Sequence, residues 1–246
     1  MKADPFAQLR LLDLQALDTG LDQLAHKRSH LPEMAEIMRL DGLISARRDD
    51  VILAGTTVSD LQRELDKSEA DIEQVRLRKS RDEERLASGA ITAPKQLQEL
   101  EHEVGTLVRR QSDLEDAELE VMERMEQAQQ ALDSLLAQRT GHEASKADNV
   151  VARDDLWVQI DTETASSREE RAKVAAELPA DLLALYEKIR AAEGGIGVGT
   201  VARGGCSACR LDLMQNEKAE YRAAPVDEVL RHECRRIIVR TGESGL

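Results

Sequence analysis

The residues whose types and spacing could do chemistry are three cysteines and a histidine near the C-terminus. Cys206 and Cys209 form a C-x-x-C pair, and His232 and Cys234 follow as an H-x-C pair. Two intervening residues allow both sulfurs of a C-x-x-C pair to reach one metal ion from a tight turn. Side chains two residues apart on an extended strand point the same way, so the second pair can also chelate. The pattern predicts a zinc ribbon, in which one structural Zn²⁺ bridges two ligand pairs.

Two other interpretations of the cysteines compete with a metal site. A thioredoxin-like redox motif needs a βαβ context around its C-x-x-C pair, and the sequence lacks that pattern. Free thiols on a small β module are the second alternative. A module of about 50 residues usually needs a metal ion or a disulfide to be stable, so we rank metal binding first.

The rest of the chain carries no pattern typical of an enzyme. It has no nucleophile with a neighbouring base, no glycine loop followed by Lys-Ser/Thr, and no open metal site beside a general base. His26 and His30 stand one helical turn apart, but Lys27 occupies the position of the glutamate in a metalloprotease motif. We therefore predict that the protein is not an enzyme and that these two histidines face solvent.

A long helical hairpin is predicted to position the cysteine module. Apolar residues recur every seven residues from Glu33 to about Ser88, and again from Pro94 to about Arg139. A strict seven-residue repeat keeps a narrow apolar seam facing a partner helix and specifies a left-handed coiled coil. The turn at 88–94 contains Gly and Pro and is short, so the two helices should pair antiparallel. Before the turn the two rows are Ile37, Ile44, Val51, Val58, Leu65, Ile72, Lys79 and Leu86, and Leu40, Arg47, Ala54, Leu61, Ser68, Val75 and Asp82. After it they are Leu97, Val104, Gln111, Glu118, Met125, Leu132 and Arg139, and Leu100, Leu107, Leu114, Val121, Ala128, Leu135 and His142.

Further helices flank this hairpin. Residues 4–28 form a first helix that ends near 29–32, because Pro32 cannot continue it. Residues 150–177 have a similar length, and we expect the two segments to pair, with Trp157 packed at their junction. A short helix over 180–193 ends at a Gly-Gly pair, as glycine readily follows a helix C-terminus. The predicted domains are a helical hairpin, 1–193, and a zinc-ribbon-like domain, 196–246.

The composition agrees with a mostly α protein, because 33% of the residues are charged and only 2% are aromatic. No apolar run reaches the roughly 18 residues that a membrane span needs, and the N-terminus lacks the pattern of a signal peptide. An odd number of cysteines does not suit a secreted disulfide framework. We expect a cytoplasmic protein that does not associate with membranes.

The charge is unevenly distributed. The whole chain carries −14, whereas residues 196–246 contain eight Lys/Arg and seven Asp/Glu, a net charge of +1. We predict that this module binds nucleic acid, DNA or RNA, through arginines, whose planar groups suit phosphate. Tyr221 is its one aromatic ring, so base stacking and sequence readout would be poor. The candidate arginines are Arg203, Arg210, Arg231, Arg235, Arg236 and Arg240.

Two alternatives to nucleic-acid binding stay open. The protein could be an adaptor whose hairpin and C-terminal module both present surfaces to a transcription protein such as a sigma factor, a role that the acidic hairpin favours. The arginines could also form a solvated surface without a ligand. Exposed heptad positions would also allow a homodimer. Basic residues cluster near the turn, but acidic residues are interleaved with them, and ion pairing within the hairpin is the favoured interpretation. The cluster consists of Arg76, Arg78, Lys79, Arg81, Arg85, Lys95, Arg109 and Arg110.

Three stretches resemble a bacterial family of coiled-coil proteins with a C-terminal four-cysteine zinc ribbon, the FlgZ-like regulators. They are RLASGAITAPKQL at 85–97, LPADLLALYEKI at 178–189, and the cysteine module with its closing RIIV strand. The resemblance implies a long kinked hairpin that carries a zinc ribbon, and binding of nucleic acid or of a transcription component such as a sigma factor. The family's second ligand pair is C-x-x-C. Cys206, Cys209 and Cys234 match its cysteines, whereas His232 is a candidate replacement in a pair that is one residue shorter.

Overall fold

The computed structural model describes residues 1–202, 204–242 and 244. Its helices are α1 (Pro5–Ser29), α2 (Pro32–Ala87), α3 (Pro94–Ala176), α4 (Ala180–Ala192) and α5 (Gln215–Ala223). Its strands are β1 (Val198–Ala202), β2 (Gly205–Cys206), β3 (Leu230–Arg231) and β4 (Ile237–Val239). The chain forms two compact units, 1–34 with 150–246, and 35–149. The predicted domain boundary at 194–195 lies inside the first of these units.

The unit 35–149 is an antiparallel coiled-coil hairpin, as the heptad pattern predicts. Every position of the two heptad rows on α2 is buried or half-buried, and so is every position of the rows on α3 except Leu97. Interhelical ion pairs follow the seam, such as Glu64 with Arg124 at 2.8 Å and Asp41 with Lys146 at 2.6 Å. The fully buried row positions are few, because each helix of a two-helix coil has only one neighbour.

The unit that contains both chain ends pairs α1 with the C-terminal part of α3, and this confirms the predicted pairing. Arg28 binds Asp161 at 2.8 Å, and Arg10 binds Glu177 at 2.6 Å. Trp157 packs at the junction as expected. Its Nε1 donates to the Arg28 carbonyl at 3.1 Å, and the Arg28 guanidinium lies 4.9 Å from its ring centre. Among the described residues, no helix has the length and apolarity that crossing a membrane requires.

A buried polar network connects α1, α3, α4 and β1. The carboxylate of Asp18 is 2% exposed and accepts hydrogen bonds from Arg171 Nε at 2.6 Å and Tyr186 Oη at 2.7 Å. Burial and the bond to Asp18 raise the pKa of Tyr186 above its usual value, and the bond to Asp18 does the same for Arg171. Gln15 donates to the Gly195 carbonyl at 3.0 Å and accepts from the Gly197 N–H at 2.7 Å. These bonds fix the point where the chain enters β1.

The C-terminal module is a four-stranded sheet in the order β2-β1-β4-β3. Strands β1 and β4 are parallel, and both outer pairs are antiparallel. The N-terminal segment joins this module, since Ala3 N–H donates to the Asp227 carbonyl at 2.8 Å and Val229 N–H donates to the Met1 carbonyl at 3.1 Å. The core between the sheet and α5 is small and consists of Val201, Cys206, Leu213, Tyr221, Leu230 and Ile238.

We predict that Asp18→Asn lowers the free energy of unfolding by about 3 kcal/mol, because it removes the buried negative charge opposite Arg171 and one of the two oxygens that accept from Arg171 and Tyr186. Urea unfolding followed by Trp157 fluorescence measures this, since Trp157 lies in the same unit. Asp22→Asn is the control. Asp22 binds Arg190 on the surface, where an ion pair contributes at most about 1 kcal/mol. Equal losses in the two variants would contradict the prediction.

Candidate metal centre

The first ligand loop begins at the end of β2 and carries Cys206 and Cys209. The N–H of Arg210 donates to the Cys206 carbonyl at 2.8 Å and closes a tight turn, in which Arg210 takes φ +63°. The loop packs on β1 at Gly199. A Cβ at this glycine would lie 2.7 Å from the Cβ of Ala208, so a side chain here would force the loop outward. The turn therefore brings both sulfurs back to the same side of the sheet.

The second ligand loop connects β3 to β4 and carries His232 and Cys234. His232 N–H donates to the Arg236 carbonyl at 3.0 Å, and Arg235 N–H donates to the His232 carbonyl at 2.8 Å. Arg235 takes φ +65°, as the tight turn requires. Because β4 runs parallel to β1 and β2 runs antiparallel to it, the end of β2 and the start of β4 lie at the same end of the sheet, and so do the two ligand loops.

The structure brings together the four side chains singled out in the sequence. The ligand atoms of Cys206, Cys209, His232 and Cys234 lie within 4.8 Å of one another. Cys209 Sγ is 3.5 Å from His232 Nδ1. Zn–S bonds of about 2.3 Å and Zn–N bonds of about 2.0 Å place tetrahedral ligands roughly 3.5–3.8 Å apart. The cluster could thus hold a metal ion after small movements of its side chains.

The thiols of the cluster differ in their electrostatic environment. Cys206 is buried, and burial raises its pKa to about 11. Burial also acts to raise the pKa of Cys209, but hydrogen bonds from the Leu211 N–H and from the thiols of Cys206 and Cys234 outweigh it, so this pKa is lowered. Metal binding requires thiolates, and a bound cation stabilises them even in a buried site. Of these two thiols, Cys209 gives up its proton more readily before an ion binds.

Three of the arginines predicted to bind nucleic acid donate instead to backbone carbonyls of this chain. Arg236 donates to the Glu193 carbonyl at 2.6 Å and the Ile196 carbonyl at 3.0 Å, just beyond α4. Arg240 donates to the Tyr221 and Ala224 carbonyls at the end of α5, at 2.9 and 2.7 Å, and to the Pro225 carbonyl. Carbonyls at a helix C-terminus have no partner within the helix, so these side chains satisfy them. Arg231 donates to the Arg235 carbonyl at 2.8 Å.

Two of the remaining arginines stand at the tips of the ligand loops. Arg210 follows Cys209, and Arg235 follows Cys234; both side chains are exposed. Neither side chain forms a hydrogen bond or ion pair within residues 1–202, 204–242 and 244. Arg203, the sixth predicted arginine, lies outside the described residues.

Sequence analysis did not single out Glu217, which approaches the centre from α5. The residue is 9% exposed, and its Oε1 lies 3.8 Å from His232 Nε2. The sequence contains one signal for a role of Glu217, and it concerns only the start of its own helix. Glu217 is the third residue of α5, where a glutamate commonly caps the helix start, and its Oε2 accepts from the Met214 N–H at 2.8 Å. Nothing in that local pattern points to His232.

Known proteins resemble the chain over nearly its full length. An uncharacterized protein of Mycobacterium tuberculosis is 38% identical over 243 residues, which cover 98% of each chain. A solved structure from Mycobacterium smegmatis matches with a TM-score of 0.82 at 32% identity, over 98% of this chain and 100% of that one. CT398 from Chlamydia trachomatis matches with a TM-score of 0.64 at 19% identity, over 96% and 98% of the two chains, and so shows the fold alone.

The family model for the CT398-like coiled-coil hairpin domain matches residues 14–194. This range contains the heptad rows, the turn and α4, and it ends before the first cysteine. The coiled-coil part of the resemblance stated from the sequence is therefore confirmed, whereas the four-cysteine zinc ribbon stays a prediction. The chain belongs to the CT398-like coiled-coil hairpin domain family.

Proposed function

We propose that the protein is a non-enzymatic adaptor whose coiled-coil hairpin binds an acidic amphipathic helix of another protein. The observation that carries this proposal is a groove of about 560 Å³ between α2 and α3, in the unit 35–149. Leucine and valine side chains form its floor, and arginines stand on both helices. Its lining residues are Asp71, Gln74, Val75, Leu77, Arg78, Arg81, Leu107, Arg110 and Leu114.

The groove combines an exposed leucine with more basic than acidic side chains, since three arginines and one aspartate line it. Leu77 is 54% exposed. Arg78 pairs with Glu103, as the ion-pairing interpretation predicts. In the part of the chain that the structure describes, Arg81 and Arg110 form no ion pair. Both guanidinium groups are therefore available to the carboxylates of a partner.

An amphipathic helix with acidic flanks is the complement of this groove. Its apolar residues would cover Leu77 and the floor, and its carboxylates would meet the two arginines, which suit bidentate pairing. Complementary charge of this kind steers association and excludes basic partners. The FlgZ-like resemblance, with its implied binding of a transcription component, agrees with an adaptor role. Cytoplasmic residence would follow from such a partner.

The C-terminal module is proposed to contain one structural zinc ion. Three thiolates and an imidazole are ligands that zinc prefers, and four protein ligands leave no open position for catalysis. When bound, the ion supplies a cross-link between the two ligand loops. The small core of the module makes such a link valuable, because structural zinc contributes on the order of 10 kcal/mol to folding in small modules.

Nucleic-acid binding is the second candidate function, and the exposed side chains of Arg210 and Arg235 favour it. They extend from two loops at the same end of the sheet, where both could contact one phosphate backbone. Arg236 and Arg240 support the candidate less, because their donors already satisfy backbone carbonyls. Binding through so few arginines would depend on phosphate and read little sequence.

We expect Cys206→Ser to abolish zinc binding and unfold the C-terminal module, and His232→Ala to weaken zinc binding. Glu233→Ala is the matched control, since this exposed residue lies between two proposed ligands. Metal content by mass spectrometry and affinity by chelator competition measure the effect. Protein purified without chelator that contains no zinc would contradict the proposed metal, and unchanged affinity in His232→Ala would exclude this residue as a ligand.

Docking in the groove predicts that a photo-crosslinker placed at Leu77 captures acidic, helix-forming segments in cells, identified by mass spectrometry. Arg81→Glu combined with Arg110→Glu should lower their yield roughly tenfold or more, because two favourable contacts become repulsive. Arg48→Glu with Arg109→Glu makes the same charge change outside the groove lining and should leave the yield unchanged. Captured segments that are basic, or an equal loss in both double variants, would refute the adaptor proposal.

The nucleic-acid candidate predicts binding to random-sequence DNA or RNA that weakens steeply with salt. Arg210→Gln with Arg235→Gln should reduce the slope of log affinity against log salt by about 2, one for each lost phosphate contact. Fluorescence anisotropy over a salt series measures this slope. Arg236→Gln should instead lower the thermal stability of the module. If the parent protein shows no salt-dependent binding, the candidate is wrong.

A further inference from the structure

Glu217 and His232 form a buried pair beside the proposed zinc ion. His232 is 5% exposed and Glu217 is 9% exposed. The 3.8 Å between Glu217 Oε1 and His232 Nε2 is within ion-pair reach, and a movement of about 1 Å would shorten it to a hydrogen bond. The other carboxylate oxygen, Oε2, is held by the Met214 N–H at 2.8 Å. The start of α5 therefore fixes Glu217 in front of the imidazole.

The contacts of the ring identify which nitrogen faces the metal. His232 Nδ1 lies 3.5 Å from Cys209 Sγ, and it accepts from the backbone N–H of Cys234 at 3.3 Å. A nitrogen that accepts a hydrogen bond carries no proton, and a neutral imidazole then carries its proton on Nε2. The same tautomer leaves the lone pair of Nδ1 unprotonated, so a metal ion can bind it in place of the Cys234 N–H. The Nε2–H consequently points toward Glu217.

We propose that Glu217 is a positioning residue of the metal centre, which holds the Nε2–H of His232 and so directs Nδ1 at the ion. Histidines that bind metals generally donate their second N–H to a carboxylate, carbonyl or water, and this partner fixes both tautomer and ring orientation. The first turn of α5 favours a negative charge at this position, since unpaired N–H groups point there. The inference rests on the proposed zinc centre.

Glu217→Gln is the sharpest substitution, because glutamine keeps the size of the side chain and can still cap α5. We expect a roughly 10-fold to 100-fold loss of zinc affinity in the full-length protein, the usual effect of removing such a partner. Chelator competition measures the affinity, and side-chain ¹⁵N shifts of His232 report the tautomer. Glu220→Gln is the control, since Glu220 is exposed on the same helix.

A double-mutant cycle separates positioning of His232 from general support of the helix. In a His232→Cys background there is no Nε2–H to hold, so adding Glu217→Gln should cause no further loss of zinc affinity. If Glu217 only stabilises α5, the same loss appears in both backgrounds and the proposal is overturned. Unchanged affinity in the single Glu217→Gln variant overturns it as well. A parent protein that binds no zinc overturns the zinc centre and this inference together, which distinguishes the two failures.

Discussion

The buried carboxylate of Asp18 is the constraint on which the packing of the chain-end unit depends. It accepts from Arg171 on α3 and from Tyr186 on α4, so three helices meet at one charged group. A buried charge is tolerated only where partners surround it, and removal of any partner leaves the others unsatisfied. One helical turn before it, Gln15 binds the backbone at the entry to β1. The position of the ligand loops is thereby tied to the helices.

Arginine has two opposite roles in this protein, and residue type alone does not separate them. Arg236 and Arg240 close the ends of α4 and α5, where several N–H groups of one side chain can serve several carbonyls at once. Arg210 and Arg235 extend from tight turns whose own backbone groups are already bonded. Arg81 and Arg110 stand in the groove between α2 and α3 and form no ion pair among the described residues. Arginines whose side-chain N–H groups have no acceptor within the described protein are therefore the better candidates for a binding surface.

The elements with a sequence period or a fixed spacing were predictable, and those that depend on tertiary contacts were not. The heptad rows predicted the hairpin, because the apolar seam of each helix depends only on the spacing of residues within that helix. Pro32 predicted the break between α1 and α2. The short spacing within each Cys/His pair is also local in the sequence, and it predicted the four-residue cluster. Asp18 and Glu217 act on residues far away in the sequence, and no local pattern distinguishes them from the many other acidic residues of this chain. The polar row residue Asp82, only 7% exposed, shows that period can predict burial even against residue type.

The shorter second ligand pair has a geometric explanation in the β3–β4 connection. The His232 N–H donates to the Arg236 carbonyl and so continues the hydrogen bonding between β3 and β4. The backbone of His232 is therefore fixed by the strand pairing, unlike that of the residues within the loop. A metal ligand attached to this fixed backbone needs a longer side chain than one attached to the loop itself. Histidine Nδ1 is three bonds from Cα, whereas cysteine Sγ is two, so in the proposed zinc centre the longer side chain would make up for the missing residue. An imidazole that reaches from a fixed backbone can still rotate about its side-chain torsions, so it needs a second contact to aim it, and Glu217 lies on the side of the ring where that contact would form.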